Sequence, residues 1–422
     1  MNQMIRSRIE QIKRGEIPEG YEKTPFGIFP CDWEKSTLKK LGEFAKGKGI
    51  PGEKMKNEGI PCVGYGDIYM KYKYHFNQAK SFIDRTTADE SIQVGIDTLL
   101  FTGTGETAEE IGKCVCYTGS DDIYVGGDII IFNSVDVSPV FIAYQQYLPF
   151  AIKQKAGFGQ GHSVVHIYKS DLEKLYCAYP KSKAEQEKIA EILQEQDRLI
   201  ELKEKLIEEK KKQKQYLMEV LLTGKVRLPG FTDKWRKVRL KTILKERNDY
   251  AVKDGEYPHV TLSTEGIYLK NERYNRDFLV KTEEKEYKIT HAGDICYNPA
   301  NLKFGVICVN DFGDAIFSPI YVTFEVAKTE DFHYIGNYMC RNNFINAVRK
   351  YEEGTVYERM SVKPQDMLLF TISLPTLPEQ KAISNVLSKA DDELALLQTE
   401  LEEQKRKKQS LMQLLLTGIV RV

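Results

Sequence analysis

Two stretches of the chain repeat the same three-and-four spacing of apolar residues. Between Ala184 and Arg227, Ile189, Leu193, Ile200, Leu206 with Ile207, Leu217 and Leu221 fall on one face of a helix. Between Pro378 and Arg421, Ile383, Leu387, Leu394, Leu397, Leu401, Leu411 and Leu415 do the same. One stretch superposes on the other without a gap at an offset of about 194 residues: Glu185, Gln186 and Asp197 return as Glu379, Gln380 and Asp391. The far ends match too, Leu-Leu-Thr-Gly at 221–224 and again at 415–418, each followed by x-Val-Arg. The spacing predicts a coiled-coil seam of roughly five heptads in each stretch. Each helix would be on the order of 57 Å long at ~1.5 Å per residue. A helix with such a stripe must bury it, and the other copy is the available partner. Connection through a globular half lets the two pair antiparallel, with Ile189, Leu193, Leu206 and Leu217 meeting Ile383, Leu387, Leu401 and Leu411. The polar runs Lys210–Gln215 and Lys405–Gln409 interrupt both stripes.

The duplication extends beyond the helices. Phe-Pro-Cys-Asp-Trp-x4-Leu (29–38) and Phe-Thr-Asp-Lys-Trp-x4-Leu (231–240) hold the two tryptophans and open two half-chains. Inside each half, short β-branched and aromatic runs lie between Gly, Pro and Asp, at Val115–Tyr117, Asp128–Phe132 and Tyr321–Phe324. Helical stretches follow at Pro139–Lys153 and Phe332–Lys350, and a short helix at Ile5–Arg14 precedes everything. The expected fold class is α+β: two mixed α/β domains joined by two long helices forming an antiparallel coiled coil, with an internal pseudo-two-fold repeat. The expected segments are 1–20, an N-terminal helical piece; 21–180 and 228–374, the two domains; and 181–227 and 375–422, the helical spacers. A period near 200 residues fits a duplicated domain-plus-helix unit rather than a solenoid.

Composition refines this picture in three places. Hydrophobic residues at 41% and charged residues at 29% suit a soluble globular chain, with no apolar run long enough to span a membrane. Eight cysteines are scattered without a C-x-x-C pair, which argues against a zinc site or a disulfide framework and for reduced thiols in a cytoplasmic protein. The 61 basic and 61 acidic side chains cancel. DNA affinity comes largely from phosphate neutralisation, so a DNA ligand would demand local segregation of charge or cationic help from a partner.

Signatures of chemistry are weak. Tyr297-Asn298-Pro299-Ala300 lacks the second proline and the aromatic of an amino-methyltransferase motif and reads as a turn. Gly103-Thr104-Gly105 and Gly157–Gly161 complete no phosphate-binding pattern and read as flexible loops. His162 and His166 lie in an alternating, strand-like run with no third metal ligand in sight. No catalytic or metal residues are assigned. Binding is better supported, since basic residues interleaved with aromatics suit phosphate contact and base-edge reading. The DNA-binding candidates are Lys46, Lys48, Tyr65, Tyr69, Lys71 and Lys73 in the first half, and Arg247, Asn248, Tyr250, Arg273, Arg276, Thr355, Tyr357 and Arg359 in the second.

These residues together resemble the specificity subunit of type I restriction–modification systems. Gly-Lys-Gly-Ile-Pro (47–51), Gly-Ile-Pro-Cys-Val-Gly-Tyr-Gly-Asp-Ile-Tyr (59–69), Phe-Thr-Gly-Thr-Gly-Glu-Thr (101–107) and Gly-Gly-Asp-Ile-Ile-Ile-Phe (126–132) look like one class of target recognition domain. Gly-Gln-Gly-His-Ser-Val-Val-His-Ile-Tyr (159–168) fits its exit, adding Gln160, His162 and Ser163 to the candidates. The resemblance implies that each domain reads half of a bipartite double-stranded DNA target, with the helix pair as ruler between them. It also implies two methyltransferase subunits docked on the helices and two motor-nuclease subunits beyond. S-adenosylmethionine and ATP/Mg would belong to those partners and no cofactor to this chain, which would be non-catalytic by itself. The rival expectation is a coiled-coil scaffold that binds proteins and has no DNA specificity.

Overall fold

A computed structural model of the chain describes residues 3–161, 164–253, 255–270, 286–351 and 361–422. It divides into two compact units, Met1–Lys203 with Glu400–Val422, and Glu204–Thr399. The repeated stretches are two helices of 39 residues each, Lys183–Leu221 and Leu377–Leu415.

In the first unit, a five-stranded sheet runs in the order Gly42–Lys46, Ile129–Ser134, Thr98–Thr102, Cys114–Tyr117, His75–Phe76. The strands Thr98–Thr102 and Cys114–Tyr117 are buried along their whole length, because alternate residues serve two different cores. Leu99, Phe101, Cys114, Cys116 and Phe132 face the helix Pro139–Gln145 and the long helices, through Ile189, Leu193, Met412 and Leu415. Leu100, Val115, Tyr117 and Ile131 face the other way, onto Val63, Ile68 and Val125. Val63 and Val125 belong to a second sheet of four strands, Ser81–Ile83, Ile60–Val63, Ile123–Val125 and Ile92–Val94. In the second unit, the sheet Leu244–Glu246, Val322–Val326, Ile295–Tyr297, Ile307–Val309 packs through Phe324 and Tyr297 on Tyr334, Ile383, Leu387 and Leu221.

The helical stretches expected at Pro139–Lys153 and Phe332–Lys350 are each broken in two. Pro149, which has no N–H to continue a helix, starts Pro149–Phe158, and Cys340–Arg341 separate Phe332–Met339 from Asn342–Val348. Gly103–Gly105 is not a flexible loop: Thr104 and Gly105 pair as a strand with His166 and Val165. A Cβ on Gly105 would lie 2.8 Å from the Tyr69 hydroxyl, which explains the small residue.

Within each unit the long helices pair antiparallel. In the first, Gln196 donates to Gln404 at 3.0 Å, Lys203 meets Glu400 at 2.6 Å, and Asp197 pairs with Lys408. In the second, Lys210 meets Glu393 at 2.6 Å and Lys214 pairs with Asp391. The polar middles of the seams are thus filled by cross-helix pairs, which fix register at some cost in stability. Leu206, expected in the seam, is 43% exposed, and its neighbour Ile207 is buried instead. The reason is phase: steps of four and three from Leu193 through Gln196, Ile200 and Lys203 arrive at Ile207.

The repeated motif at the helix ends does the same work in both units. Arg421 donates to Glu185 at 2.8 Å, and Arg227 to the fully buried Glu379 at 2.7 Å. The Gln186 carboxamide accepts from the Ser138 N–H at 2.8 Å while donating to the Pro180 carbonyl. Gln380 does likewise with Asp331 N–H and the Pro375 carbonyl. Gly224 and Gly418 have left-handed backbones (φ 72° and 70°); a Cβ on Gly224 would press on Trp235 at 3.1 Å, and one on Gly418 would strike Pro30 and Trp33. The first unit also gathers the chain ends, where Arg8 donates to the Ile419 carbonyl and Tyr21 to that of Gly418.

Ile207→Ala should therefore lower stability by about 2–4 kcal/mol, as expected for a buried aliphatic. Leu206→Ala should stay within about 0.5 kcal/mol. Urea unfolding of the two variants checks the phase, and equal midpoints would contradict it.

Candidate nucleic-acid interface

The basic and aromatic candidates divide into those with free ends and those already committed within the protein. Lys46 and Lys48 are exposed around the end of the strand Gly42–Lys46. Lys46 borders an open groove of about 480 Å³ together with Thr104, His166, Tyr168, Lys169 and Asp128. The pairing of Thr104 with His166, and the bridge from Gln160 to His166, bring the strand and the exit motif together there. Tyr168, 53% exposed, stands two residues after His166. The alternation His166-Ile167-Tyr168 was the available signal for both, because residues two apart share a strand face. Tyr168 and Lys169 were nevertheless absent from the expected site.

Tyr65 is exposed in the first turn of the helix Tyr65–Met70, and Lys73 is exposed beyond its end. Tyr69 is committed: its hydroxyl contacts Thr102 Oγ1 at 2.8 Å and the Thr104 carbonyl at 3.0 Å. Burial raises its phenol above the usual range. Lys71 is committed as well, donating to Ser81 Oγ at 2.6 Å and pairing with the buried Asp67 at 2.8 Å. His162 and Ser163 lie outside the described residues.

In the second unit Arg247 holds Asp294 with both prongs of its guanidinium, Nε to Oδ2 at 2.9 Å and Nη2 to Oδ1 at 3.0 Å. Asp294 is 2% exposed and also accepts from the Thr323 hydroxyl and the His291 N–H. Arg247 is therefore a structural member of its sheet, and its guanidinium is occupied before any ligand arrives. Asn248 and Tyr250 remain exposed beside it. Arg273, Arg276, Thr355, Tyr357 and Arg359 lie outside the described residues.

Burial pushes the thiols of Cys62, Cys296 and Cys340 up to about 12, which keeps them protonated near neutral pH. Among the described residues no cluster of three or more His, Cys, Asp or Glu side chains could hold a metal, and no helix is long and apolar enough to cross a membrane. What the surface offers is a groove bordered by cationic, aromatic and acceptor groups, a set suited to phosphates and base edges.

Removing the Arg247 guanidinium strands a buried carboxylate, so Arg247→Ala should cost about 3–5 kcal/mol. Lys46→Ala should leave stability within about 0.5 kcal/mol. Thermal melting of the two variants separates structural cation from free cation.

Comparison with known proteins agrees with this geometry. Residues 30–211 match the family model for the type I restriction modification DNA specificity domain. The putative type I restriction enzyme MjaX specificity subunit of Methanocaldococcus jannaschii is 26% identical over 96% of this chain and 97% of its own length. The MjaVIII specificity subunit of the same organism is 24% identical over 65% of this chain and 70% of its own. Among solved structures, the S subunit of a type I restriction–modification system from M. genitalium matches 91% of this chain and 96% of its own, with a TM-score of 0.54 and 15% identity. A chain from a study of complex assembly and conformational transition in a type I R-M system matches 93% of this chain and 99% of its own, with a TM-score of 0.57 and 14% identity. Along nearly its whole length the chain is thus similar in sequence to a type I restriction enzyme specificity subunit and in fold to solved S-subunit chains, and residues 30–211 match the type I restriction modification DNA specificity domain.

Proposed function

We propose that this chain supplies DNA sequence specificity to a type I restriction–modification complex. Each recognition domain reads one half of a bipartite target, and the helix pair sets the spacer and docks the methyltransferase subunits. The observation that carries this reading is the repetition of one anchoring scheme, Glu185 with Arg421 and Glu379 with Arg227, beneath two domains of different interior. A single reader would need one such seat. Two seats with unlike occupants suit two half-sites of unlike sequence, separated by about a helical turn of DNA or a multiple of it.

The partners are double-stranded DNA, methyltransferase subunits and motor-nuclease subunits, two of each subunit. S-adenosylmethionine and ATP/Mg would bind to those partners, in the cytoplasm, and this chain would add no catalytic group of its own. A net charge of zero fits a reader whose partners complete the clamp on DNA. A coiled-coil scaffold without DNA specificity is the poorer reading, because the relative matched over 96% of this chain is a putative type I restriction enzyme specificity subunit.

Single-molecule sequencing of modified DNA from a strain given this chain with its methyltransferase should reveal one bipartite motif with a fixed spacer. Absence of any such motif would overturn the reading. Replacing residues 21–180 with another recognition domain should change one half-site only. Shortening both long helices by one heptad should change the spacer and leave both half-sites intact.

A further inference from the structure

Beside the two copies of the anchoring scheme, one repeated ion pair has two different surroundings. Asp197 and Lys408 in the first unit correspond by the repeat to Asp391 and Lys214 in the second, and both pairs bridge the two long helices. The second pair is open to water, with side chains 22% and 52% exposed. The first is covered by the recognition domain. Lys408 is 5% exposed and lies with its ammonium 3.4 Å from the centre of the Tyr74 ring and 5.4 Å from that of Tyr144. Tyr144 donates its hydroxyl to the other oxygen of Asp197 at 2.6 Å. The two rings stack on each other at 4.9 Å, and Tyr147 meets Tyr74 edge-on at 4.5 Å.

Two further observations mark the first arrangement as built. Tyr74 has a left-handed backbone (φ 54°), a sparsely populated conformation for an aromatic residue. Its carbonyl is held there by the Cys116 N–H at 2.8 Å. In the second unit, moreover, no described residue supplies the matching ring. The N-caps Ser138 and Asp331 are gripped by the equivalent glutamines Gln186 and Gln380, so they align the helices Pro139–Gln145 and Phe332–Met339. Counted from those caps, the place of Tyr144 is taken by Asn337. Among the described residues no aromatic ring lies over Lys214.

We propose that Tyr74, Tyr144, Asp197 and Lys408 form a latch that locks the first recognition domain to the helix pair and thereby confines the complex to one spacer length. The inference rests on the specificity reading above and assigns these residues a positioning role. A charge-assisted hydrogen bond and a buried cation on two rings restrain rotation of the domain about the helices. One base pair more or less turns a half-site by about a tenth of a helical turn, so a domain held in one orientation rejects it. The second domain is seated by its glutamine and glutamate clamps, with no such restraint among the described residues.

The test uses the complex assembled with its methyltransferase, on duplexes carrying the wild-type half-sites with the native spacer or one base pair more or less. Tyr144→Phe keeps the ring and loses the donor, and Asp197→Asn keeps the side-chain shape and loses the charge. Each should raise methylation at the wrong spacers relative to the native one by about tenfold, the scale of a lost charge-assisted bond. The half-sites should stay unchanged. Asp391→Asn, at the half-exposed pair, should change the ratio by about twofold at most, the scale of a surface ion pair. Unchanged spacer discrimination in folded, active Tyr144→Phe and Asp197→Asn would overturn the latch. So would an equal loss of methylation at every spacer, which is what a merely structural role predicts, or equal relaxation by Asp391→Asn. A wild-type complex that methylates no bipartite target would overturn the specificity reading, and the latch with it.

Discussion

A long helix with a narrow apolar stripe is stable only against a matching stripe, and here the matching stripe is its own repeat. That constraint organises the molecule. Ile189 and Leu193, like Ile383 and Leu387, are buried where a helix start meets the other helix's end and a recognition domain together. Each domain core is therefore completed by residues from two distant parts of the chain. Between these sites the buried Ile207 and Leu401 alternate with lysine–glutamate and lysine–aspartate pairs that bridge the helices. Such pairs contribute little to stability when half-exposed, but they penalise a slipped register, in which like charges would meet. Register matters most in a part whose proposed task is measuring.

The architecture was legible because its signals are local and repeated. The apolar spacing, the tryptophan motif and the Glu-Gln and Leu-Leu-Thr-Gly ends can each be read within a few residues, and duplication made them mutually supporting. The misreadings share a different cause. Leu206 and Ile207 are adjacent and equally apolar, so only the phase accumulated along the seam decides which faces inward. Pro139–Lys153 keeps its helical spacing across Pro149, although the chain turns there.

The contact residues were legible in type and not in employment. Nothing near Arg247 announces that an aspartate 47 residues later, Asp294, will occupy both prongs of its guanidinium. Lys71 is similar, since Asp67 lies one turn away and Ser81 arrives from another strand. Conversely, Tyr168, at the end of the exit motif, and Lys169 after it were not among the candidates, yet both border the groove beside Lys46. A basic side chain in a loop is a candidate only until its buried acids are known.

The clamp of glutamate, glutamine, arginine and glycine has an evolutionary corollary. Its parts lie at the borders of the recognition domains, in stretches nearly alike in both halves of the chain. A genetic exchange with its crossovers in those stretches would deliver a foreign domain already fitted with a Trp-bearing front and a place for the glutamine to cap. The seat would accept it unaltered, and sequence preference could change in one event while the frame stayed the same. The ring over Lys408 is the exception. A newcomer without it would be held like the second domain, and its host would inherit a new reader on a looser mount.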